Sequence, residues 1–125
     1  MSDFFDLIRR HMTRYKHHHL RTFRRRNGLT QRDLGLLLGF VDGSEVGRYE
    51  RFSRLPTAQS LLACQAIFDV DARVLFPDMY DAVEHLTVNR ALQLRAELPP
   101  VQRFQYRREI LSAIAERSRQ RASQL

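Results

Sequence analysis

One cysteine, Cys64, stands among 125 residues, so no internal disulfide framework can brace the fold, and a reducing cytoplasm is the expected compartment. No uncharged stretch approaches the roughly 18 to 20 apolar residues that a membrane span needs. The opening MSDFFDLIRRHM lacks an apolar run leading to a small-residue cleavage site and does not read as a secretory signal. Runs of alternating β-branched residues between hairpin dipeptides are missing, as are fixed-period repeats and low-complexity linkers, so the chain reads as all-α. Paired carboxylates, a phosphate-cradling glycine loop and a nucleophile beside a base are absent too; no enzyme and no cofactor are expected.

Acid is missing from one long stretch, between Arg9 and Arg32, and this absence shapes the charge map. The chain carries 21 Lys+Arg against 14 Asp+Glu, a formal charge of +7. Residues 1–54 hold twelve basic and six acidic side chains, 55–98 three and six, and 99–125 six and two. A one-sign block of this kind favours a polyanionic partner, nucleic acid being the commonest. Hydrophobic residues make up 43%, enough for a real core at this length but without room for a separate catalytic domain.

Phe5, Ile8, Met12 and Tyr15 recur at helical spacing and mark a short amphipathic segment. A helix over Lys16 to Asn27 follows, with Leu20 and Phe23 apolar and Gly28 at its stop. Thr30 and Asp33 form a capping pair for a helix opening at Gln31, with Leu34, Leu37 and Leu38 inward and Gly39 at its end. After the turn GFVD, Asp42 can cap a short helix GSEVGRYER with Val46 and Tyr49 inward. Gly35 on the first of this pair leaves room for the second to cross closely, as a helix-turn-helix requires. Thr57 caps a helix carrying Leu61, Cys64 and Phe68, and Asp71 a shorter one with Val74, Leu75 and Phe76, completing a five-helix bundle. Pro77-Asp78 then starts a helix to Leu98 with Tyr80, Val83, Thr87, Ala91, Leu94 and Leu98 near a 3.5-residue period. Pro99-Pro100 stops it, and a last helix from Val101 places Phe104, Leu111, Ile114 and Ala115 inward. Three parts are expected: a basic segment at 1–19, a DNA-binding bundle at 20–77 and a helical hairpin at 78–125.

From Leu20 to Phe76, the succession LRTFRRRNGLTQRDLGLLLG, SEVGRYER, LP and LLACQAIFDVDARVLF resembles the Cro/CI-type phage-repressor helix-turn-helix of the XRE family, in a bacterial branch with a longer turn. The resemblance implies a five-helix lambda-repressor-like bundle followed by the C-terminal hairpin. It implies that Arg24 and Glu50 pair to lock the first helix onto the third. Thr30 and Gln31 map to positions that touch the DNA backbone, and Gly43, Ser44, Gly47 and Arg48 to the recognition surface, with Glu45 at its margin. Arg51, Ser53 and Arg54 occupy the following loop, which meets phosphate in the family. Phe52 stands where the family usually has glycine, which implies a differently shaped loop.

Arg48 is the strongest base reader, since its guanidinium can donate to guanine O6 and N7; a phosphate contact or a solvated role are the alternatives. Glu45 could accept from a cytosine amino group or be repelled by phosphate. The glycines of the recognition helix read either as close backbone approach to DNA or as relaxed constraint. His17, His18 and His19 point in different directions on a helix and have no Cys or carboxylate at ligand spacing, so no metal site is expected. Cys64, on a stripe with Leu61 and Phe68, reads as a core cysteine rather than a reactive one. The expected function is a sequence-specific transcriptional regulator, a repressor, acting as a homodimer on double-stranded palindromic DNA and with no membrane association. The alternative is an antitoxin or adaptor whose C-terminal helices bind a partner protein. RNA binding fits less well, because the aromatic side chains fall at inward positions.

Overall fold

A computed structural model describes residues 19–124. The amphipathic segment expected at Phe5 to Tyr15, with most of the basic segment at 1–19, lies outside the described residues. Among those described there are seven α-helices and no strand: α1 His19–Arg26, α2 Gln31–Leu37, α3 Ser44–Glu50, α4 Ala58–Phe68, α5 Ala72–Leu75, α6 Pro77–Glu97 and α7 Gln105–Ser123, the last preceded by a 3₁₀ turn at Gln102–Phe104. Residues 19–80 fall in one compact unit and 81–124 in another, so the boundary lies within α6.

In the first unit the helices are short and their ends are closed by side chains and left-handed residues. Thr30 Oγ1 accepts from the Asp33 amide at 3.0 Å while Asp33 Oδ2 accepts from the Thr30 amide at 2.9 Å, a reciprocal capping box. Thr57 and Asp71 cap α4 and α5 in the simpler way. α1 and α2 both end in the same device: Gly28 and Gly39 adopt φ of +68° and +93°, and the amide after each reaches back five residues, Leu29 to Arg24 and Phe40 to Gly35. α3 ends likewise although its left-handed residue is Phe52, at φ +58°, with the Ser53 amide donating to the Arg48 carbonyl. The loop is therefore shaped as a glycine would shape it, correcting the expectation that Phe52 alters it. The strain of about 1–2 kcal/mol for a side chain in this region is opposed by burial, since Phe52 is half-buried and lines a small cavity together with Leu20, Leu75 and Phe76.

The core of this unit comprises Leu20, Leu34, Leu38, Val46, Tyr49, Cys64, Ala72, Leu75 and Phe76. Phe23 packs against Phe68 and Phe40 meets Tyr49 edge-on, with ring centroids 6.0 and 6.3 Å apart. The buried Tyr49 hydroxyl lies 3.2 Å from the buried Ser60 Oγ, so α3 is tied to α4 without an unpaired polar atom. Burial pushes the Cys64 thiol up to about 11, keeping it neutral and unreactive.

Leu37 does not point inward; it is 55% exposed. The buried sector of α2 is centred between Leu34 and Gly35 because the start of α3 crosses over Gly35, and Leu37 lies about 110° from that centre. A Cβ at Gly35 would collide with the Asp42 carbonyl oxygen, and one at Gly43 would come within 2.6 Å of the Gln31 carbonyl carbon. Val74 is likewise exposed rather than inward, the short α5 burying Ala72 and Leu75.

In the second unit the later part of α6 and α7 run antiparallel. Arg95 donates to Ser112 Oγ at 3.0 Å, and Glu84 receives Ser118 Oγ at 2.5 Å and Arg121 at 3.2 Å. Arg108 closes the turn by donating to the carbonyls of Pro99 and Val101. Of the expected 3.5-residue stripe only Ala91 is buried; Val83, Thr87 and Leu94 are exposed. The side toward α7 instead carries Glu84, Val88, Ala91, Leu92 and Arg95, rotated by about 80°. The apolar period misplaces this side because two of its residues are charged and act through hydrogen bonds. The last helix also starts later than Val101, after the 3₁₀ turn.

Two glycine positions separate packing from backbone strain. Gly39→Ala, with nothing within 4 Å of the added methyl, is expected to cost about 1–2 kcal/mol in urea unfolding through its φ alone. Gly35→Ala, which must push α3 away, is expected to cost more, about 3 kcal/mol. Equal losses at the two positions would contradict the close crossing.

Candidate nucleic-acid interface

The site is built around a buried ion pair. Arg24 Nε donates to Glu50 Oε1 at 2.7 Å and its Nη2 to Oε2 at 3.3 Å, with the two residues only 7% and 4% exposed. The remaining Arg24 nitrogen, Nη1, donates to the Leu29 carbonyl at 2.9 Å. Gln31 Nε2 donates to Glu50 Oε2 at 3.1 Å. One guanidinium and one carboxylate thereby join α1, the loop before α2, the first residue of α2 and the end of α3.

This arrangement sets the pose of α3 over α2. A cleft of about 540 Å³ opens between the start of α2 and the outer side of α3, lined by Gln31, Arg32, Asp42, Gly43, Ser44, Gly47, Arg48 and Arg51. Its floor is Gly47, buried, where a Cβ would meet Arg51 Nη1 at 3.1 Å and the Gln31 amide at 3.6 Å. The glycines of α3 thus have a packing reason: Gly43 seats the helix on the backbone of Gln31 and Arg32, and Gly47 receives the side chains of Gln31 and Arg51. Gly47 is covered rather than presented.

Asp42 does not cap from the position expected. α3 begins at Ser44 with Gly43 as the cap residue, and the Asp42 carboxylate accepts from the Ser44 amide at 2.9 Å from one residue further out. Hydrogen bonds from the Ser44 amide and hydroxyl hold the Asp42 carboxyl below its usual range, with Arg48 adding to the effect. Asp33 is lowered in the same way, by the backbone and then the hydroxyl of Thr30. Both carboxylates stay ionised into mild acid, and the N-termini of α2 and α3 keep their acceptors there.

The other expected contact residues divide by geometry. Ser44 and Arg48 are exposed on α3. Arg51 and Arg54 follow on the turn, while Ser53 closes the helix, its hydroxyl donating to the Arg48 carbonyl at 3.2 Å. Glu45 receives both Arg48 and Arg54. Thr30 is engaged in its capping box. Arg32 lines the cleft and was not foreseen; its signal was its place directly after Gln31, in the first turn of α2. Among the described residues no group of three or more His, Cys, Asp and Glu is placed to hold a metal ion, and His17 and His18 lie outside them. No helix among the described residues is long and apolar enough to cross a membrane.

Removing either partner of the buried pair leaves an uncompensated charge, so Arg24→Met and Glu50→Leu alone are each expected to lose about 3–5 kcal/mol in urea unfolding. The double variant should lose less than either single one, because the apolar pair leaves no charge behind. Additive losses would contradict the coupling.

No curated protein and no solved structure matches the chain. A family model described as helix-turn-helix matches residues 20–75, the span from the start of α1 to the end of α5. That span holds the close α2–α3 crossing and the ion pair that fixes it. Residues 20–75 belong to the XRE, or Cro/CI-type, helix-turn-helix family of DNA-binding regulators.

Proposed function

We propose that the protein is a sequence-specific transcriptional repressor that inserts α3 into the major groove of a palindromic operator as a homodimer. The observation that carries this reading is the cleft beside α3, where Arg32, Arg48 and Arg51 converge on one side of a helix pair held rigid by a buried ion pair. Arginines there serve two roles: forks that can read a guanine edge, and charges that neutralise phosphate. Arg48, on the helix itself, is assigned the base; Arg51 and Arg54, on the following turn, are assigned phosphates. Gln31 is assigned a phosphate through the second N–H of its amide, the first being held by Glu50. Ser44 offers a weakly discriminating hydroxyl, and Gly43 and Gly47 act by letting α3 seat deeply on α2.

Selection of bound duplexes from a random pool, followed by anisotropy titrations, tests the reading. Arg48→Ala is expected to relax preference at one position of the recovered site, a loss of about 1–3 kcal/mol of discrimination. Arg54→Ala is expected to weaken binding to all sequences alike and to flatten the salt dependence by about one phosphate contact. Equal losses for Arg48→Ala on selected and random duplexes would remove it from the base.

Pairing is assigned to the hairpin of residues 81–124. Leu94, Tyr106 and Ile110 are 49%, 74% and 45% exposed there, which leaves apolar area uncovered in a single copy. Leu94→Glu with Ile110→Glu should therefore yield a monomer by light scattering with little change in thermal unfolding. A dimer that survives both changes would place pairing elsewhere. The same exposed residues favour the second reading, an adaptor that binds another protein, and a wild-type monomer carrying them would support it.

A further inference from the structure

Glu45 is the one acid on the outward part of α3, and its position is chemically unusual for a helix that faces a polyanion. Its Oε1 accepts from two guanidiniums at once: Arg48 Nη1 at 2.5 Å, one turn along the helix, and Arg54 Nη1 at 2.8 Å, nine residues on. Exposure is asymmetric across this cluster. The Glu45 side chain is 16% exposed, whereas those of Arg48 and Arg54 are 45% and 57% exposed. The carboxylate is thus covered by the arginines, and the arginines keep their outer edges open.

We propose that Glu45 is a positioning residue that sets specificity for DNA by orienting Arg48, with Arg54 holding the carboxylate from its other side; the proposal rests on the DNA-binding reading above. A direct role in reading a cytosine amino group needs an open acceptor, whereas Oε1 already receives two guanidiniums and the side chain is only 16% exposed. The positioning role needs what is present. A guanidinium has five N–H donors in a rigid fork, so one nitrogen held by Glu45 leaves the others aimed and available for a base or a phosphate. An arginine held in place gives up less rotamer freedom on binding, which strengthens contacts that require one geometry. Contacts to an arbitrary phosphate gain little from orientation and are opposed by the nearby negative charge, since the cluster of two cations and one anion carries only one net charge. Glu45 therefore strengthens the fitted complex relative to the unfitted one. The loop geometry contributes: Ser53, which closes α3 through the Arg48 carbonyl, brings Arg54 back toward the helix.

The test compares wild type with Glu45→Gln by anisotropy over a salt series. It uses a duplex selected by the wild-type protein and a random-sequence duplex of equal length. Removing one opposing charge is expected to tighten binding to the random duplex about three- to tenfold and to steepen its log–log salt slope by about 1. The selected-to-random ratio should fall about tenfold while thermal unfolding changes little, because surface pairs of this kind contribute weakly to stability. In an Arg48→Gln, Arg54→Gln background the same exchange should leave the ratio unchanged to within about twofold, because Glu45 then has nothing to orient. Equal weakening on both duplexes with an unchanged slope would overturn the proposal in favour of a scaffold role. A loss confined to one C·G position with unchanged random binding would overturn it in favour of direct readout. Failure of the wild type to prefer any duplex would overturn the DNA reading itself, a result visible before any Glu45 variant is used.

Discussion

The Arg24–Glu50 pair is the constraint on which the helix-turn-helix geometry depends. Buried charges are expensive to desolvate, and an isolated pair of this kind is often no more stabilising than an apolar pair of similar volume. Its value here lies in direction. The fork of Arg24 fixes the orientation of the carboxylate, the carboxylate fixes Gln31, and the third arginine nitrogen fixes the Leu29 carbonyl. Four segments are thereby held at one angle. A hydrophobic substitute could match the energy but could not specify which way Gln31 faces, and Gln31 lines the cleft.

Close packing of α2 on α3 is the second requirement, and it explains why α3 tolerates glycine. A seven-residue helix is far below the length at which helices persist alone in water, and glycine in its interior lowers its propensity by a further 0.5 to about 1 kcal/mol. Tertiary contact supplies what propensity does not: Val46 is fully buried and Tyr49 is anchored through Ser60. Gly35 and Gly43 let the two backbones approach until only hydrogen atoms fit between them, and Gly47 leaves room for the side chains of Gln31 and Arg51. The glycines of α3 and its cap are thus explained from the inside of the molecule.

Much of the first unit was legible because its signals are local. Thr30 with Asp33, Thr57, Asp71, Gly28 and Gly39 each mark a helix end through backbone chemistry that depends on few neighbours. Phe52 was misread because sequence shows the side chain that a left-handed position disfavours but not the neighbours that make it tolerable. Leu37 was misread because the buried sector of a short helix is set by where its partner crosses, a tertiary fact. The hairpin was least legible. Its inward side uses Glu84 and Arg95 as well as apolar residues, so a search for apolar periodicity lands on Val83, Thr87 and Leu94, which are exposed. In the candidate site, residue types point to a surface on which Gln31, Ser44, Arg48 and Arg51 line one cleft, but the arginine–carboxylate connections depend on Arg54 folding back across nine residues, which no spacing rule encodes.

The formal charge of +7 also takes a different meaning once side chains are placed. Around α3 the arginines are not a free cationic patch. Arg48 and Arg54 share Glu45, and Arg51 lies over Gly47. Asp42, its carboxyl held below the usual range by the Ser44 hydrogen bonds, adds a second negative charge at the edge of the same cleft. A surface that only needed affinity for a polyanion would gain from losing both acids, since counterion release scales with the phosphates neutralised. Keeping them reduces long-range attraction while fixing the arginines at short range, where hydrogen-bond direction distinguishes one base edge from another. On the role proposed above, such an arrangement favours discrimination over tight general binding, the balance that a regulator searching a large excess of non-specific sites requires.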